Sequence, residues 1–152
     1  MSADFADLQN GDITAFTKLY GDIHKKLYYV AYYSLAGSAE AVRVISSAAR
    51  YAYDNTASCK NETELGDLLL KKTCEQIIAR FREYRSSPPQ YERNPSFIKA
   101  QMSRLTDAER LSVTIWSAFG YNADKISAVT GLSPDLVEKK LESGQEKLKA
   151  KL

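Results

Sequence analysis

Residues 105–148 read LTDAERLSVTIWSAFGYNADKISAVTGLSPDLVEKKLESGQEKL, and three helical patterns stand close together in them. Thr106 with Glu109 three residues on is a capping box, which starts a helix at Asp107. Leu111, Val113, Ile115, Trp116 and Phe119 fall mostly on one face of that helix, and Gly120 stops it. A shorter helix runs from about Asp124 to Thr130, turning Ile126 and Val129 inward. Gly131-Leu132-Ser133 is the turn. Ser133 is a natural N-cap, and Pro134 suits the first helical position because its missing N–H costs nothing there. The last helix carries Leu136, Val137, Leu141 and Leu148 on its inner side. Short helix, glycine turn and longer helix form a helix-turn-helix, whose last helix enters a major groove. An ordinary helical hairpin fits the same spacing.

Upstream, Phe5 to Leu8 reads as a short helical lead. Gly11-Asp12 breaks it, and Asp12 caps a helix through Phe16, Leu19 and Tyr20. A separate long helix spans about Ile23 to Leu35. There Tyr28 pairs with Tyr32, and Tyr29 with Tyr33, at i,i+4. These tyrosines pack at the edge of a bundle or, alternatively, stack on nucleic-acid bases. Gly37-Ser38 ends that helix and caps the next, an alanine-rich pattern over 39–53. Asn61 with Glu64 is a second possible capping box, opening a helix over 62–85 with Leu65, Leu68, Leu69, Ile77, Ile78 and Phe81 inward. Arg80, Arg82 and Arg85 gather near its end, where cations suit the helix dipole. Pro88-Pro89 stops it sharply. No alternating strand pattern occurs, so the chain reads as all-α: an N-terminal helical bundle over 1–86, a linker over 87–104 and a helix-turn-helix domain over 105–152.

Composition narrows function. The 152 residues are 44% hydrophobic and 26% charged, which are globular values. No apolar run is long enough to span a bilayer, and the first residues lack the basic and apolar regions of a signal peptide. Direct membrane insertion is not expected. Cys59 and Cys74 stand without Cys or His neighbours at ligand spacing, so neither a structural zinc nor a disulfide framework is expected, and a reducing cytoplasm is the default. His24, the sole histidine, has no triad-like partner, which argues against an enzyme. Residues 71–104 hold eight Lys/Arg against three Asp/Glu, whereas residues 1–70 hold six against nine. That basic middle either meets phosphate or is a solvated face.

The order of these parts resembles the extracytoplasmic-function sigma factors of bacterial RNA polymerase, over nearly the whole chain. GDITAFTKLY at residues 11–20 looks like the family's opening GDxxAFxxLY, and Leu27-Tyr28 continues it. Ala52-Tyr53 sits where the family often has Ala-Trp. Leu69 to Arg82 is similar to the helix that handles the −10 promoter element, and Leu105 to Leu148 to the domain that reads the −35 element. The resemblance implies a regulator of transcription initiation without cofactor or small-molecule substrate. Its implied partners are core RNA polymerase, promoter DNA and an anti-sigma protein. It places DNA contacts on Lys125, Ser133, Lys139 and Lys140, and on Lys71, Lys72, Arg80, Arg82 and Arg85. It places polymerase contacts on Glu40, Arg43, Ser46, Ser47 and Arg50.

The departures form a pattern. The family's clamp-gripping acids fall on Val42, Arg43 and Ser47, leaving Glu40. Its Ala-Arg-Asn segment falls on Thr73, Cys74 and Glu75. The recognition helix mixes Asp135, Glu138 and Glu142 with Lys139, Lys140 and Lys147. The alternative function is therefore a sigma-like protein-interaction module or regulator that does not melt promoters on its own.

Overall fold

The computed structural model describes residues 3–149. Eight α-helices and one short 3-10 turn make up their regular structure, and no strand occurs among the described residues. Helix α1 (Ala3–Gln9) buries Phe5 and Leu8. Gly11 then adopts a left-handed φ of 83°, and the Asp12 carboxylate accepts from the Thr14 and Ala15 amides to start α2 (Ile13–Ser34).

Helix α2 is continuous, where the sequence suggests a break between Tyr20 and Ile23. Gly21 lies inside it without interrupting it. A ladder of rings at i,i+4 crosses the glycine: Phe16 on Tyr20, Tyr20 on His24, His24 on Tyr28 and Tyr28 on Tyr32, with centroids 5.3–6.5 Å apart. With Leu27, Val30 and Ala31 fully buried, this packing outweighs the cost of about 1 kcal/mol for one mid-helix glycine. The tyrosines thus pack against each other and the core edge, as the first of their two readings has it.

Helix α3 (Ser38–Asp54) follows a tight corner, and the 3-10 turn (Thr56–Ser58) leads to α4 (Glu62–Ser86). The N-cap of α3 is Gly37 rather than Ser38, and it offers no side chain for capping. At α4 the Asn61 side chain accepts from the Glu64 amide, but the Glu64 carboxylate accepts from the Lys60 amide, so the reciprocal box is displaced by one residue. The stretch read as a linker holds α5 (Phe97–Met102), capped by Ser96, with Lys99 and Met102 buried.

Helix α6 (Asp107–Phe119) opens with the expected capping box and closes at Gly120 with φ 69°. Helix α7 (Ala123–Thr130) closes at Gly131 with φ 80°, and Ser133 caps α8 (Pro134–Lys149). All of Leu111 to Ile115 is buried, because α6 lies between α2 and α8. One apolar face is therefore too narrow a description of it, and Trp116 is left 45% exposed. Helix α2 packs on α6 and α4 packs on α7. Leu111, Ile115, Ile126, Val129 and Val137 share one core with Leu27, Val30, Leu69 and Ile77. Helix α8 packs on α6 and α7 and stands at the outside of that shared core.

Two residues set how α8 meets α6. Glu109 is 2% exposed, and its carboxylate accepts from the Thr106 amide, the Ser143 hydroxyl and the Lys147 ammonium. Burial alone would raise its pKa, but the bonds from Lys147, Ser143 and Thr106 outweigh burial and bring it down to about 2. Gly144 faces the same spot: a Cβ there would lie 2.8 Å from Val113 Cγ2 and 3.4 Å from Glu109 Cβ. Gly144→Ala should therefore destabilise the protein by about 1–2 kcal/mol despite alanine's better helix propensity, read from the urea midpoint. Because Glu109 titrates lower folded than unfolded, its contribution is present above pH 4.5 and lost as pH falls toward 2. Glu109→Gln should cost about 2 kcal/mol near neutrality, a figure reduced for the half-exposed Lys147. Melts of both proteins across that pH range should show the gap closing.

Candidate nucleic-acid and partner interface

The helix-turn-helix presents α8 to solvent. Asp135, Glu138, Lys139, Glu142, Glu146, Lys147 and Lys149 are exposed on it, and Lys140 is half-buried. Lys147 is tied to Glu109 at 2.7 Å. The outer face is thus mixed, with acids outnumbering the lysines left free for phosphate. The Ser133 hydroxyl accepts from the Leu136 amide at 3.2 Å, so its first task is capping α8.

Lys125 lies on α7 and turns toward the N-terminal half. Its ammonium meets Asp67 of α4 at 2.7 Å and sits 5.4 Å from the Tyr121 ring centroid. The Tyr121 hydroxyl donates to the other Asp67 oxygen at 3.2 Å. Asp67 therefore engages both Lys125 and Tyr121. Lys71 and Lys125 line the same shallow groove between α4 and α7.

Along α4, Lys72 pairs with Glu75 at 3.1 Å and lies over the Tyr51 ring at 4.1 Å. Arg80 pairs with Glu83 at 2.8 Å. Lys71, Arg82 and Arg85 are exposed. On α3, Arg43, Ser46, Ser47 and Arg50 share one exposed face with Val42 and Tyr51. Glu40 does not join that face: its carboxylate accepts from the Tyr84 hydroxyl of α4. The face is basic and apolar at its centre, with Asp54 at its end.

Four important residues escaped the sequence reading. Asp67 and Gly144 carry no assignment in it. Glu92 and Lys99 fell in the presumed linker. Glu92 accepts from the Ser38 amide at 3.2 Å and from the Tyr32 hydroxyl at 2.9 Å, and the latter bond, chiefly, drives the Tyr32 pKa up to about 12. Lys99 donates to the carbonyls of Tyr32 and Leu35, while burial lowers its pKa to about 8. No local signal marks any of them, since each partner is far away in sequence.

Cys59 and Cys74 are free thiols, both buried, and burial pushes the Cys74 thiol up. Among the described residues no group of three or more His, Cys, Asp or Glu is placed to hold a metal ion. No helix among them is long and apolar enough to cross a membrane.

No protein-family model matches the sequence, and no curated protein matches it either. The fold does have solved likenesses. The structure of CnrH in complex with the cytosolic domain of CnrY superposes with a TM-score of 0.66 at 18% identity, covering 97% of this chain and 93% of that one. The likeness shows that the two chains share an all-helical fold.

The contact between α4 and α7 rests mainly on apolar burial. Asp67 and Lys125 are both partly in water, so Asp67→Asn should cost no more than about 1 kcal/mol. Ile126 is fully buried, so Ile126→Ala should cost about 2–5 kcal/mol. Chemical denaturation of the two variants checks the ranking.

Proposed function

We propose that this chain is a sigma-like regulator of transcription initiation, which binds core RNA polymerase and brings it to promoter DNA. In this reading residues 1–86 and 105–152 are its two working units, and 87–104 sets their spacing. The observation that carries it is the solvent-facing α8 of a helix-turn-helix, within a fold that matches CnrH over nearly its full length. DNA would meet Lys139 and Lys140, with Ser133 orienting the start of α8, and the polymerase would meet the α3 face of Arg43, Ser46, Ser47 and Arg50. Lys125 joins the DNA contacts once Asp67 releases it. Arg82, Arg85 and Lys71 offer free charge on α4, while Lys72 and Arg80 must first leave Glu75 and Glu83. CnrH is seen with a cytosolic domain of a second protein. That supports an anti-sigma protein as a further partner here.

A second reading is favoured by three observations: acids outnumber free lysines on α8, Glu40 is withdrawn to Tyr84, and Asp67 occupies Lys125. It makes the chain a sigma-like interaction module that does not melt promoters by itself.

Transcription in vitro with core polymerase and genomic fragments separates the two. The first reading expects transcripts that depend on this protein, and retention of core polymerase that bulky side chains on the exposed α3 face, Ser46→Trp with Ser47→Trp, abolish. It also expects Lys139→Glu with Lys140→Glu to lower DNA affinity about tenfold or more at low salt and to flatten its salt dependence. No core retention at low salt, with a different protein partner retained, decides for the second.

A further inference from the structure

The C-terminal end of α2 meets the stretch before α5 around a cavity of about 330 Å³. That is the lower end of the size range of small-molecule sites. Its polar lining has an unusual balance. Lys99, 7% exposed, spends two of its three N–H groups on the carbonyls of Tyr32 and Leu35, which leaves one. Arg110 spends one N–H each on Ser34 O, Leu105 O and Asp107, which leaves two of five. The Ser34 hydroxyl is buried and has no partner at all. Two of the acceptors, in contrast, are engaged. Both Glu92 oxygens are occupied, and the Tyr84 hydroxyl receives the Ala36 amide and donates to Glu40. Lys99 has no carboxylate at ion-pair distance among the described residues, although Glu92 acts on it from farther off and Asp107 pairs with Arg110, so what the lining holds in excess is hydrogen-bond donors around a buried cation. The remaining wall is Leu35, Ala36, Pro95, Ala100, the rings of Tyr33 and Tyr91, and Ser103, whose hydroxyl donates to the Ala100 carbonyl.

We propose that this cavity is a binding site for a small organic anion, with its anionic head on Lys99, Arg110 and Ser34 and its apolar body against Ala36, Pro95 and Tyr91. Spare donors around a buried cation call for an acceptor, and a charged one best offsets the burial of Lys99. The apolar wall requires more than a bare inorganic ion. Bound there, the anion ties the stretch before α5 to the end of α2 and to α6. The site does not depend on whether the chain meets polymerase.

Benzoate titrated into the full chain is the test, with benzamide as its neutral counterpart and inorganic phosphate as the bare anion. Benzoate should shift the amide resonances of residues 34–37 and 99–103 saturably and raise the melting temperature with concentration. Benzamide should bind about tenfold more weakly or worse, for want of the charged head. Lys99→Gln should erase that preference, and Ala100→Phe, which fills the cavity, should abolish the shifts. Tyr91 is 61% exposed, so Tyr91→Ala keeps the fold and should weaken benzoate severalfold even if Ala100→Phe does not fold. Absence of saturable shifts, or equal binding of benzamide, overturns the site. Phosphate binding as tightly as benzoate overturns the apolar part of the assignment.

Discussion

The corner between α2 and α3 cannot satisfy its own backbone. A helix end leaves carbonyls or amides without partners, and bulk water reaches little of this one because Ser34, Leu35 and Ala36 are at most 3% exposed. The partners come from elsewhere in the chain. Lys99 of α5 and Arg110 of α6 donate to the last carbonyls of α2. Glu92 accepts from the first amide of α3, whose Gly37 cap has no side chain to give. Each cap matches the local dipole, cation at the C-terminus and anion at the N-terminus. Residues 87–104 thus do more than join two halves: they complete the helices of the first half.

That constraint marks the limit of what the sequence reveals. Local chemistry is legible. The Thr106–Glu109 box and the glycines at 120 and 131 place α6 and α7 almost to the residue, since each signal lies within four positions of its effect. Helix α2 was harder. Gly21 argues for a break, and only the aromatic ladder and the buried face together overrule it. The long-range bonds are invisible: Glu92 to Tyr32, Lys99 to Leu35 and Lys125 to Asp67 each span about 60 positions and belong to no motif. Of the proposed contact residues, the α3 face is readable as a helical stripe. The withdrawal of Glu40 is not, because Tyr84 carries no mark of its partner.

Charge placement shapes the functional proposal more than fold does. The helix-turn-helix is well formed, yet α8 shows four acids to solvent, and the best-placed lysine on α7 is held by Asp67. Phosphate affinity grows with the number of cations free to release counterions. On the proposed function, so few free cations mean that groove contact would draw on a partner for the rest of its affinity.

The ring ladder of α2 has a mechanical meaning. It begins near Tyr53, whose ring meets Phe16 edge-on at 5.3 Å and whose hydroxyl grips the Gly11 carbonyl. It ends at Tyr32, where Lys99 is seated over the ring. The ladder braces a rod of 22 residues, about 33 Å long at 1.5 Å per residue. The turn at Gly11 and the corner that Lys99 closes thus stand at the two ends of one unbroken run of ring contacts.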